Sequence, residues 1–329
     1  MLRALSLIML QLCSIGALSA SELDAFPLIP RVDVPAVDAT PEPQWLATDI
    51  GIIRDRSVVL NGIRWVDSGP DEGLALIACL HSGRIHESLI RLSSDDAALL
   101  KSAFIVAFGW PDGATNDPLH GLPPRGVPVR VEWEWQDTNG LTRRIDASCL
   151  VRDRVSDRGF PPLPLIYTGS RIGEQRLRAL DGSERWVPSF KLAEHRTLAA
   201  LFDENEALLS TPFPFFSNDL RMEVNTSLAP AGQTTGRLII SPATLALTLW
   251  SNEHGELRAQ QQDDGVALDD NALVALLQAR YGPDDAHKLR ALAIRPAVDQ
   301  PRTVDHALVE RIMKVAVAAR CWVVPIIQP

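Results

Sequence analysis

VRVEWEWQ, residues 129–136, is the stretch that decides the fold. Val129, Val131, Trp133 and Trp135 fall on one face, and Arg130, Glu132, Glu134 and Gln136 on the other. That period of two marks a strand with one side packed and one side solvated. Asn139-Gly140 follows, a pair that accepts the positive φ of a tight turn. Residues 141–147 then return, bringing Arg143 and Arg144 within reach of Glu132 and Glu134 across the ladder. The tryptophans invite a reading as an aromatic ligand platform. A core face with a solvated charged back explains the same alternation without a ligand.

Working outward, further strand pairs are legible. Residues 58–61 and 63–66 flank Asn61-Gly62, a hairpin signal. Residues 74–80 and 84–92 flank Ser82-Gly83 and read as a second hairpin. Asp95 or Asp96 is placed to cap a helix over 97–108, with Leu99, Leu100, Ala103, Phe104 and Ala107 at helical spacing and Gly109 at its end. Further along, strands are expected at 245–250, 256–261, 289–296 and 321–327. Helices are expected from the Asp269 cap to 279 and from the Thr303 cap to 319. The fold expected is therefore α+β. An N-terminal, mainly antiparallel β-sheet domain with few helices spans 45–236, and a C-terminal ββαβαβ domain spans 237–329.

The chain's beginning reads as an address. Residues 1–19 combine Arg3, an apolar run broken only by Ser6 and Gln11 over 5–12, and small residues near a cut after Ser19, the layout of a signal peptide. Residues 20–44 hold prolines at 27, 30, 35, 41 and 43, which block helix and central strand, so a semi-extended linker is expected. No later segment reads as a membrane span, so the mature chain is expected to have none and to be periplasmic or secreted. The net charge of −9 and pI near 5.3 offer no basic footprint, which argues against nucleic acid as a partner.

Four cysteines occur, at 13, 79, 149 and 321, with no CxxC. Cys79 with Cys149 is the pairing to consider for a disulfide; the alternative is three buried free thiols. GxSxG, GxxxxGK and GxGxxG are all missing, so neither a nucleophile elbow nor a phosphate loop is indicated, and no cofactor is expected. The remaining chemistry lies in 79–88. His86, Glu87 and Ser88 are the candidate functional residues. His81, His86 and Cys79 are the candidate metal ligands, because on a hairpin Cys79 and His81 share a face and His86 can lie opposite. Ser88 beside His86 is a weak nucleophile pair, since neighbours on a strand point to opposite faces.

Residues 83–89 (GRIHESL), 133–137 (WEWQD) with the turn after them, 167–170 (YTGS) and 198–212 resemble the YdjY-type domain of exported bacterial proteins, over roughly 50–230. That resemblance implies export and no defined activity. A ferredoxin-like label given to some members needs cysteines absent here. Residues 292–299 (LAIRPAVD) and the helix and strand after them resemble the periplasmic domain of the ExbD/TolR transport family over about 240–327. That resemblance implies a tendency to dimerise and contact with the cell wall or a neighbouring envelope protein. The membrane helix carrying the family's motor residue has no counterpart, so motor activity does not carry over. The expected function is a non-enzymatic binding or scaffold module for envelope proteins or peptidoglycan. The alternative is a metal protein or hydrolase centred on His81, His86 and Glu87.

Overall fold

The computed structural model describes residues 34–53, 55–64, 73–109, 126–154, 158–159, 162, 164–169, 172–178, 184–190, 196–201, 207–211, 222–230, 232–243, 245, 247–251, 257–259, 268–281, 290–295, 306–319, 321 and 323–327. The signal-peptide segment, Cys13 and residues 20–33 of the linker lie outside this set.

In chain order the strands are β1 (Gln44–Ala47), β2 (Ile50–Ile52), β3 (Val58–Arg64), β4 (Leu76–Cys79), β5 (Ser88–Leu92), β6 (Val127–Gln136), β7 (Thr142–Asp146), β8 (Val151–Asp153), β9 (Arg158–Gly159) and β10 (Leu165–Tyr167). They continue as β11 (Ile172–Arg178), β12 (Glu184–Phe190), β13 (Thr197–Ala200), β14 (Leu209–Ser210), β15 (Met222–Val224), β16 (Thr234–Pro242), β17 (Thr248–Ser251), β18 (Leu257–Ala259), β19 (Arg290–Arg295) and β20 (Val323–Ile327). The helices are α1 (Ala97–Phe108), α2 (Asp270–Tyr281) and α3 (His306–Ala318), with 3-10 turns at Ile85–Glu87 and Ala147–Leu150.

The expected α+β class, an antiparallel-sheet domain followed by a ββαβαβ domain, is corrected: the chain is mostly β, and a closed barrel organises it. Strands β3, β16, β6, β10, β14, β13, β4 and β5 pair in that order, and β5 pairs back onto β3. Eight strands thus form a ring with no free edge. Two junctions, β13–β14 and β4–β5, are parallel; the others are antiparallel. Sequence periodicity reports which face of a strand is buried, not which strand lies beside it, so closure left no local signal.

Two expected hairpins are corrected as well. Asn61-Gly62 does not turn the chain: 58–64 is one strand, matched residue for residue against β16 from Arg64↔Thr234 to Val58↔Ile240. β4 and β5 are parallel, with Leu76 opposite Ser88 and Cys79 opposite Arg91. The eight residues 80–87 therefore carry the chain back beside its own start, a shorter return than the dozen or so residues parallel neighbours usually take.

β6 sits where the core is richest. Val129, Val131, Trp133 and Trp135 point inward with Val58 and Leu60 of β3, Leu238 and Ile240 of β16, and Tyr167 of β10. β16, 234–242, pairs β3 on one side and β6 on the other, and it runs unbroken through 236/237, where the sequence reading divides the chain. Asp96 caps α1 by accepting a hydrogen bond from Leu99 N at 2.9 Å, and Gly109 ends it with φ 88°. The helix lays Leu100, Ala103, Phe104 and Ala107 into the same core, with the Phe104 ring 5.3 Å from that of Tyr167. Beyond β16 a four-stranded sheet, β18-β17-β19-β20, packs with α2 and α3 through Leu249, Leu273, Leu277, Leu292 and Ile312. Among the described residues no helix is long and apolar enough to cross a membrane.

Candidate functional site

The return loop between β4 and β5, with the strand ends that flank it, carries the residues nominated for chemistry. Cys79 ends β4 wholly buried, and burial pushes its thiol up. His81 and His86 are exposed. Glu87 lies in the 3-10 turn and pairs with Arg84 at 3.0 Å. Ser88, fully buried, donates its hydroxyl hydrogen bond to Arg84 O at 2.7 Å. Cys79 and Ser88 are thus brought together, while both imidazoles stay at the surface.

The metal and hydrolase readings meet a different geometry from the one they assumed. They rested on a hairpin, and the parallel return removes the face it supplied. Among the described residues no three His, Cys, Asp or Glu side chains assemble into a group able to hold a metal ion. A thiol raised by burial is a poor nucleophile and a poor ligand, and the Ser88 hydroxyl is spent on the backbone. Cys79, Cys149 and Cys321 are free buried thiols, so the Cys79–Cys149 disulfide is not formed.

The loop is held by partners that no short motif announces. Asp95 Oδ1 accepts from Ser82 N at 2.7 Å and from Ser82 Oγ at 2.9 Å. Partial burial opposes ionisation of Asp95, but these two bonds, with His81 and Arg196 nearby, outweigh it and hold the carboxyl below its ordinary range. Arg196 donates to Ser82 O at 2.9 Å, and its own carbonyl accepts from Leu80 N at 2.7 Å. Gly83 makes the return possible: a Cβ there would stand 2.6 Å from Arg196 O and 2.9 Å from Cys79 Cβ. Asp95 was legible as a helix cap, and the structure gives that role to Asp96 instead. Arg196 lies 114 residues from Ser82, a separation at which sequence gives no signal. A shallow depression adjoins the loop, floored by Leu60, Leu80, Leu92 and Leu100 and edged by Asp49, Asn61, Ser94 and Asp96.

A second polar centre lies on the outer face of β6. Glu134, 5% exposed, collects four hydrogen bonds on Oε2: from Thr40 N at 3.0 Å, Thr40 Oγ1 at 2.7 Å, Arg144 Nε at 3.1 Å and Arg144 Nη2 at 2.5 Å. Arg144 also reaches Asp38 O, and Arg143 binds Asp137 and Val34 O. Ala36 bridges Arg143, and Val37 N donates to Thr142 O at 3.0 Å. Residues 34–43, the distal part of the stretch read as a linker, are thus a strap docked across β7 and β6. Its end is pinned where Pro43 packs on Gly51, a contact that leaves no room for a Cβ.

No family model, curated protein or solved structure matches the chain, so the functional reading rests on these residues.

Proposed function

We propose that this chain is an exported envelope protein that acts as a non-enzymatic binding or scaffold module, contacting envelope proteins or peptidoglycan in the periplasm or outside the cell. The observation that supports it is how the 79–88 segment uses its reactive groups. Ser88 holds Arg84 O, Glu87 holds Arg84, and Cys79 is sealed beneath Gly83. Chemistry-bearing side chains spent on backbone geometry give a rigid loop whose surface, with Ser82, Asp95 and Arg196 fixed by one another, suits recognition. The signal-peptide layout and the YdjY-type resemblance supply the compartment.

The test is co-sedimentation of the purified chain with insoluble peptidoglycan, run beside cross-linking in an envelope extract. Retention by one of them, reduced about tenfold by Arg196→Ala with the melting temperature preserved, is the expected result; a tenfold loss corresponds to about 1.4 kcal/mol. No retention by either material sinks the proposal. N-terminal sequencing of the exported protein tests the compartment separately, with Ala20 expected as the first residue.

A further inference from the structure

We infer that Glu132 and Asp146, opposed across β6 and β7, form a proton-operated latch on the corner where β7 turns into β8. The two residues are direct partners in the ladder. They share the outer face of the sheet with Arg130, Glu134 and Arg144, but the cations there are committed elsewhere. Arg130 pairs with Glu132 at 3.0 Å, and Arg144 with Glu134 at 2.5 Å. Asp146, 8% exposed, is left with the donors of Ser148: its Oδ1 accepts from Ser148 N at 3.0 Å and Ser148 Oγ at 2.5 Å. A carboxylate shut away opposite another carboxylate, with two neutral donors and no ion pair of its own among the described residues, resists ionisation.

The groups acting on Asp146 can be named element by element. From β6 come Glu132, which disfavours its charge, and Arg130, which favours it; from the following turn come Ser148 and the Cys149 thiol; on β7, Arg144 is held by Glu134. On β8 and β15, Arg152 pairs with Glu223 at 2.8 Å. Burial is the largest influence, and the Asp146 carboxyl is pushed up to about 6.

The corner is built so that this proton matters. Asp146 caps the 3-10 turn Ala147–Leu150, all four of whose residues are buried. Asn225 clamps the turn from the other side, donating Nδ2 to Cys149 O at 3.1 Å and N to Leu150 O at 2.7 Å. The turn leads into β8, the middle strand of the β15-β8-β9 sheet. With Asp146 protonated the two carboxyls coexist. Without that proton a second negative charge faces Glu132 from a position 8% exposed, and the neighbouring turn is the element that can yield. The folded carboxyl lies above its unfolded value, so the stabilisation is complete below about pH 4 and is lost as pH rises through about 6. The corner therefore loosens toward neutral pH and tightens on acidification.

Amide hydrogen exchange on the full chain, corrected for the intrinsic pH dependence of exchange, tests this. Protection at Ser148 to Val151 is expected to fall on the order of a hundredfold between pH 4 and pH 7. Leu238 of β16 and Val59 of β3 should lose no more than the corner does, because global opening releases the same carboxyl. Asp146→Asn, which mimics the protonated group, should remove most of the slope, and Glu132→Gln should move it to lower pH. A flat or rising wild-type profile overturns the latch. So does an Asp146→Asn profile as steep as the wild type, or a loss at Leu238 and Val59 larger than the loss at the corner.

Discussion

Glu134→Ala should release the strap without opening the barrel. The side chain it removes accepts both polar donors of Thr40, a residue 8% exposed, and two from Arg144, whose side chain is 25% exposed. Stranding the Thr40 donors costs about 1–3 kcal/mol if they stay buried. Stranding a buried charge costs about 3–5 kcal/mol, but Arg144 already touches water, so a figure of about 1–2 kcal/mol is more apt here. The sum, roughly 2–5 kcal/mol, has an outlet, because the strap can lift and let both groups hydrate. The loss in global stability should then stop at the docking free energy of 34–43, while exchange at the Val37 and Thr40 amides rises sharply. Limited proteolysis should cut within 34–43 in the variant and not in the parent. Pairing Glu134→Ala with Arg144→Ala should cost less than the two singles together, by about 1–3 kcal/mol for groups in direct contact. Undiminished protection at Val37 and Thr40 in Glu134→Ala, with proteolysis unchanged, would refute the reasoning.

Gly83→Ala should destabilise the chain by about 1–3 kcal/mol by overpacking against Arg196 O and Cys79, read as a drop in thermal midpoint. Iodoacetamide at pH 8 should leave Cys79, Cys149 and Cys321 unmodified in the folded chain and label all three after denaturation, as mass spectrometry would show; the Cys149 thiol, pushed up to about 12, should be slowest to react on partial opening. His86→Ala should shift stability by no more than about 0.5 kcal/mol, since the side chain is exposed, and a larger loss in chemical denaturation would reopen a role for it. Ile312→Ala, in the core shared by α2, α3 and the four-stranded sheet, should cost about 2–5 kcal/mol by denaturant titration.

What could be read in the sequence was what neighbours in sequence settle. β6 declared itself because alternation is a property of ten consecutive residues. α1 declared itself through Asp96, its stripe and Gly109. Gly140, with φ 75°, took the turn assigned to it. The failures share one cause, a local signal overruled by a distant partner. Asn61-Gly62 is a good hairpin pair in isolation, yet β16 offers 58–64 a continuous partner. Gly62 keeps an extended backbone there, and its missing side chain accommodates Arg91 O, 3.0 Å from where a Cβ would stand. Ser82-Gly83 was read the same way and serves instead to let Arg196 and Cys79 close in. The prolines of the linker do exclude helix and central strand, but they do not forbid docking through backbone and side-chain hydrogen bonds.

The charged face of β6 shows most clearly why residue type alone could not locate the sites. Glu132, Glu134 and Asp146 look alike in sequence, three acids on one ladder face with arginines interleaved, and a solvated surface is the natural reading. Each meets a different fate in the fold. Glu132 keeps a cation at the surface, its partner Arg130 being 56% exposed. Glu134 is covered by the strap, and its buried pair with Arg144 fixes where 34–43 sits more than it stabilises the barrel, since a buried ion pair gains little over apolar packing but is costly to break. Asp146 is covered by the turn after β7 and has no ion pair among the described residues, so it answers to protons instead. What separates the three is what the chain lays over them, and both covers, the strap and the turn, hang on contacts between residues far apart in sequence: Thr40 with Glu134 and Asn225 with Cys149. A partner that displaced the strap would meet a preformed carboxylate–guanidinium pair beside β7, whereas a change of pH would reach the corner at β8 first.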